Sequence, residues 1–106
     1  MRILFDQGTP APLRQQLPEH EVATAYERGW STLENGELLQ AAESTGFEDL
    51  VTTDTNLKYQ QNLASRKIAI VVLGTTSWPR IRAATEEVVG AVDRALPGSY
   101  TEVRIP

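Results

Sequence analysis

The chain predicts a three-layer α/β/α domain built on a mostly parallel five-stranded sheet, and three observations carry that expectation. Aliphatic, β-branched runs alternate with stretches of helical periodicity, strand then helix, through to a last strand. The run Ile68 to Leu73 is continuous and apolar, as a strand covered on both faces must be. Two further runs end at an acid: Met1 to Phe5 stops at Asp6, and the stretch holding Leu50 and Val51 gives way to Thr52, Thr53 and Asp54. In an open parallel sheet with right-handed crossovers, ligands bind where strands hand over to loops at their carboxyl ends.

Met1 to Asp6 reads as the first strand, apolar except for Arg2. Gln7 to Pro12 turns into a short helix, with Thr9 placed to cap it, Pro10 at its first position and Pro18 at its stop. Glu21 to Tyr26 reads as a second strand, followed by a loop through Arg28, Gly29 and Trp30. Asn35 is a suitable N-cap for a helix carrying Leu38, Leu39, Ala41 and Ala42, and Gly46 stands just past its end. After the central strand, Asn56 is read as the cap of a helix through Leu57, Gln60, Gln61, Leu63 and Ala64 that ends near Arg66. The strand Ile68 to Leu73 leads through Gly74 to Ser77 into the longest helix. That helix starts near Trp78 and Pro79, presents Ile81, Ala84, Val88, Ala91, Val92 and Ala95 on one face, and stops at Pro97-Gly98. Tyr100 to Ile105 alternates as the last strand.

With 106 residues, the expectation is a single domain over 1–106 with one core. Cysteine is absent, which excludes disulfides and thiolate zinc sites, and the lone His20 is read as a surface residue in a turn. The longest apolar run is far too short to cross a bilayer and no basic leader precedes it, so a cytoplasmic protein without membrane association is expected. A net charge of −4 argues against passive adhesion to nucleic acid, which depends on Lys and Arg neutralising phosphates.

That acidity fits carboxylates gathered around cations. Asp6 and Asp54 end different strands at one edge, and Glu37 lies in the first turn of the helix entering the central strand, with Glu34 a possible fourth acid. Carboxylates crowded without a nearby lysine resist joint ionisation unless a cation neutralises them. Mg²⁺ or Mn²⁺ suits oxygen donors, and two such ions can drive phosphodiester cleavage. Around them, Thr53 can orient a water, the amides of Gln60, Gln61 and Asn62 can reach a sugar or base, and Lys58, Arg66 and Lys67 can receive phosphates. Trp30, Tyr59 and Trp78 can stack on bases. Each has a plainer reading too, as a strand end, helix cap, solvated face or packing anchor.

The segments ILFDQGTP, ENGELLQAAESTG and LVTTDTNLKYQQNL resemble bacterial PIN-like (PilT N-terminus) proteins, in the small stand-alone branch related to the toxins of toxin–antitoxin pairs. The likeness runs from Met1 to about Leu73. It implies a Mg²⁺- or Mn²⁺-dependent ribonuclease, with Asp6, Glu37 and Asp54 matching the family's first-strand, helix-start and third-strand acids as catalytic and metal-binding residues. Asn35 and Asn56 stand where further acids are frequent, departures that remove charge from any second ion. RNA as substrate and an antitoxin partner follow from the resemblance alone, and the apolar faces of the last helix and strand admit a homodimer. Two other readings compete. One is a receiver-type phosphoacceptor with Asp54 as acceptor and Thr75 or Thr76 behind the fourth strand, although the fifth strand ends in Arg104, Ile105 and Pro106 without the lysine that such a site requires. The other is a PIN-like binding module that has lost catalysis.

Overall fold

β-branched and aliphatic side chains favour an extended backbone when both of their faces can be covered, and five such segments pair here into one sheet. The computed structural model describes residues 1–60 and 62–106. Its strands are β1 (Arg2–Phe5), β2 (Glu21–Thr24), β3 (Asp49–Thr52), β4 (Ala69–Leu73) and β5 (Tyr100–Val103). They lie in the order β2-β1-β3-β4-β5, each parallel to its neighbours. The sheet is therefore wholly parallel. The chain grows from β1 outward to β2, then crosses back to lay β3 on the other side of β1. The resulting switch point, between the carboxyl ends of β1 and β3, is where a crevice opens in such sheets.

Alternation along the strands divides the core in two. Ile3, Phe5, Val51, Val71 and Leu73 face a layer made by a 3-10 helix (Ala11–Gln16), α3 (Trp78–Ala83) and α4 (Thr85–Asp93), through Leu13, Ile81, Val88 and Val92. Leu4, Leu50, Ile70 and Val72 face α1 (Asn35–Ser44) and α2 (Leu57–Gln60), through Leu38, Leu39, Ala42 and Leu57. Helices on both faces of a parallel sheet make the three-layer α/β/α arrangement. The apolar residues of α4 and β5 that suggested a second copy of the chain are turned into this core.

Several boundaries depart from the sequence reading, each where a side chain bonds the local backbone. The N-cap of α1 is Glu34, not Asn35, and it forms a capping box with Glu37. Beyond Gln60 the predicted second helix does not continue over 62–66, where the Asn62 side chain accepts the amide of Ala64 at 3.1 Å in a local bond; Gln61 lies outside the described residues. The long final helix is two helices, parted at Ala84 (φ −111°, ψ 25°), where the Thr85 hydroxyl bonds back to the Arg82 carbonyl at 2.7 Å. His20 is partly buried rather than free in solvent: its side chain is 12 % exposed and its Nε2 lies 2.7 Å from Asp93 Oδ1 on α4. Among the described residues no helix is long and apolar enough to cross a membrane.

Candidate functional site

The carboxyl edge at β1 and β3 is held by side chains bonding across strands. Asp6 follows β1 and still takes part in the ladder, its amide donating to the Val51 carbonyl at 3.1 Å. The residue is 7 % exposed and its carboxylate is heavily engaged. Oδ1 accepts the amides of Gly8 at 3.2 Å and Thr9 at 3.0 Å. Thr9 Oγ1 lies 2.7 Å from Asp6 Oδ1 and 2.9 Å from the Val51 carbonyl, so its one proton is shared between them. Oδ2 accepts the Thr52 hydroxyl at 2.5 Å. An ionised carboxylate has about four lone-pair sites; three donors crowd Oδ1 and one meets Oδ2, so about one site on Oδ2 stays open. The loop that supplies the donors needs Gly8, because a Cβ there would fall 2.3 Å from Thr53 Oγ1.

Asp54, two residues beyond β3, is less encumbered. Its amide donates to Thr52 Oγ1 at 3.1 Å, so the Thr52 hydroxyl joins the backbone of Asp54 to the carboxylate of Asp6. Asp54 Oδ1 accepts the Asn56 amide at 2.9 Å and Oδ2 accepts Asn35 Nδ2 at 2.7 Å. Asn35 is the first residue of α1, so this bond draws the start of that helix to the crevice. Asp54 is half-buried and about two of its lone-pair sites remain open.

A shared ion cage does not form from the three predicted acids. Among the described residues no three His, Asp or Glu side chains are grouped to hold an ion. Asp6 is buried and bonded by donors from Gly8, Thr9 and Thr52, and Glu37 Oε1 is turned back to the Glu34 amide at 3.1 Å. Of the two strand-end acids, Asp54 offers the partly exposed carboxylate with open oxygens, which fits an ion that keeps most of its waters and takes the rest of its shell from a substrate phosphate.

Of the residues expected to contact substrate, Thr53 packs its hydroxyl against Gly8, and Asn56 reaches the site through its backbone amide. Lys58 bridges to Glu102 of β5 at 2.7 Å, and that carboxylate holds the Lys58 ammonium above its ordinary pKa. Arg66 is not brought to this edge. It precedes β4, at the amino end of the sheet, and pairs with Glu43 of α1 at 2.8 Å. Trp30 packs edge-on against Phe47 with centroids 6.1 Å apart, and Trp78 packs on the α3/α4 core, whereas Tyr59 is left exposed.

The sequence reading overlooked Thr9, Thr52 and the side chain of Asn35 as the groups that organise the edge. The Asp-Gln-Gly-Thr run carried a signal for Thr9, since an aspartate before a glycine often bonds its own following amides. Nothing in the sequence told the partners of Thr52 and Asn35, which are 46 and 19 residues away. Compared with protein-family models, curated proteins and solved structures, the chain has no match in any of the three.

Proposed function

We propose that the chain is a metal-dependent ribonuclease of PIN-like type, with Asp54 as the carboxylate that meets the ion. The observation that supports this most is the position of Asp54: a partly open carboxylate at the switch point of a parallel sheet, with both a helix start and a second acid tied to it. Mg²⁺ or Mn²⁺, when bound, would polarise a phosphate oxygen and lower the pKa of a coordinated water. The chain's own contribution is positioning. Asn35 and the Asn56 amide fix the carboxylate plane of Asp54, and Thr52 fixes its backbone. Asp6 is a positioning residue on this reading, acting through Thr52, and Glu37 stands in the first turn of α1 with its Oε1 bonded to the Glu34 amide. An antitoxin partner belongs to the same proposal and rests on the sequence resemblance.

The test compares Asp54→Asn with the parent on single-stranded RNA in Mg²⁺ or Mn²⁺ and in chelator. We expect Asp54→Asn to lose at least about a hundredfold in cleavage with its melting temperature little changed, because its neighbours are half-exposed. Asp6→Asn should instead lose both activity and about 2 kcal/mol of stability, since it places an amide donor among donors. Full cleavage by Asp54→Asn ends the proposal.

The strand order favours one competing reading. Order 2-1-3-4-5 with Asp54 behind β3 and Thr75 behind β4 also suits a receiver-type phosphoacceptor. Acetyl phosphate followed by intact-mass measurement decides between them, because only a phosphoacceptor gains a stable acyl phosphate on Asp54.

A further inference from the structure

The loop from β2 to α1, residues 25–34, ends at the capping box beside which Asn35 reaches Asp54. Its first half closes on itself and on the sheet. Ala25 donates to the Phe5 carbonyl at 2.8 Å, Arg28 to the Thr24 carbonyl at 3.1 Å and Trp30 to the Ala25 carbonyl at 2.8 Å. The second half is held differently. The carbonyls of Ser31, Leu33 and Trp30 converge on a single atom, Gln7 Nε2, at 2.9, 3.2 and 3.4 Å. Among the described residues every other hydrogen bond of 31–34 stays within residues 30–38. The Gln7 carboxamide is therefore the hydrogen-bonded tie between that stretch and the rest of the sheet edge.

The backbone beneath Gln7 is itself fixed. Asp6 before it stays in the ladder through Val51, and the Asp6 carboxylate accepts the amides of Gly8 and Thr9 after it. A carboxamide nitrogen has two protons to share among the three carbonyls. Water can satisfy those exposed carbonyls if the protons are removed, but water cannot fix where they stand. Leu38, Leu39 and Ala42 anchor the body of α1 in the core, whereas the direction from which the chain enters its first turn is set by 31–33. Carboxylates that meet ions are oriented by outer bonds of this kind. We infer that Gln7 is a positioning residue for Asp54: it holds the 31–33 backbone, that backbone sets Asn35, and the Asn35 amide fixes the Asp54 carboxylate. The inference rests on the ribonuclease reading for its functional meaning, though the linkage itself is testable without an ion.

The experiment compares the parent with Gln7→Met, which keeps the length and loses both protons, with Gln7→Lys, which restores donors at similar reach, and with Ile81→Val, a destabilised control in the other core layer. Thermal melts confirm that all four fold. NMR without metal reads the side-chain amide protons of Asn35, whose shifts report the bond to Asp54. In Gln7→Met they should move toward those of a free asparagine amide, and in Gln7→Lys and Ile81→Val they should stay with the parent. Calorimetry with Mn²⁺ should then show Gln7→Met binding roughly tenfold to a hundredfold more weakly than the parent. Unmoved Asn35 signals in Gln7→Met, an equal displacement in Gln7→Lys or Ile81→Val, or equal Mn²⁺ affinity in Gln7→Met and the parent overturns the inference. The two readings separate cleanly. Displaced Asn35 signals in Gln7→Met with no Mn²⁺ bound by the parent sink the ribonuclease and keep the linkage from Gln7 to Asp54, whereas Mn²⁺ binding that is lost in Asp54→Asn but indifferent to Gln7→Met does the reverse.

Discussion

Two aspartates of this chain are buried, and their surroundings treat them oppositely. Asp6 is met by donors from Gly8, Thr9 and Thr52, whereas Asp49, at 0 % exposure, meets no side-chain donor and only a poorly aligned amide, that of Leu50. Asp49 opens β3 beside Ile3 of β1 and Ala69 of β4, and alternation sets it on the same face as Val51, toward apolar side chains. Burial pushes its pKa up from the ordinary 3.8 to about 7. The folded state thus keeps the Asp49 proton to higher pH than the unfolded chain does. Its contribution to stability is whole below pH 3.8, falls as pH rises toward 7, and stays lost above that. Between pH 5 and 8 the loss should be about 2 to 3 kcal/mol. Urea unfolding at those two pH values checks this: the parent should lose stability across the interval and Asp49→Asn should not lose that share. An equal decline in both proteins would assign the pH dependence to other groups.

At the scale of elements, the turn after β1 is the segment on which the candidate site depends most. Gly8 passes so close to Thr53 that Gly8→Ala should cost about 1–3 kcal/mol through the clash with the Thr53 hydroxyl. Combining it with Thr53→Ala should recover most of that loss, because a Cβ on residue 8 would then meet the Thr53 Cβ at an ordinary 3.7 Å. A double-mutant cycle in urea reads the recovery directly, and purely additive costs would refute the contact. The five strands and α1 were legible in the sequence because β-branched runs and a leucine stripe state their period plainly. The helix ends were not. Asn62 and Thr85 look like ordinary helix-surface residues in one dimension, yet their side chains bond the local backbone and stop or divide a helix.

For the whole molecule, one sheet serves two separate cores. Ile70 belongs to the core under α1 and Ile81 to the core under α3 and α4. Ile70→Val and Ile81→Val should each cost about 0.5–1.5 kcal/mol, and the pair should add within about 0.5 kcal/mol while unfolding remains a single transition. Two resolved transitions in calorimetry would show that the layers melt independently. At this scale, too, the site was half legible. That Asp6 and Asp54 end neighbouring strands could be read from where the apolar runs stop, but how far each carboxylate is engaged depends on partners such as Thr52 and Asn35 that only folding brings near. The Thr52 hydroxyl gives its proton to Asp6 and receives one from the Asp54 amide, so this string of dipoles points in one direction. Such strings polarise along their length. The negative charge on the inner acid thereby acts as an anchor for the outer one, and whatever discharges the first slackens the mooring of the second.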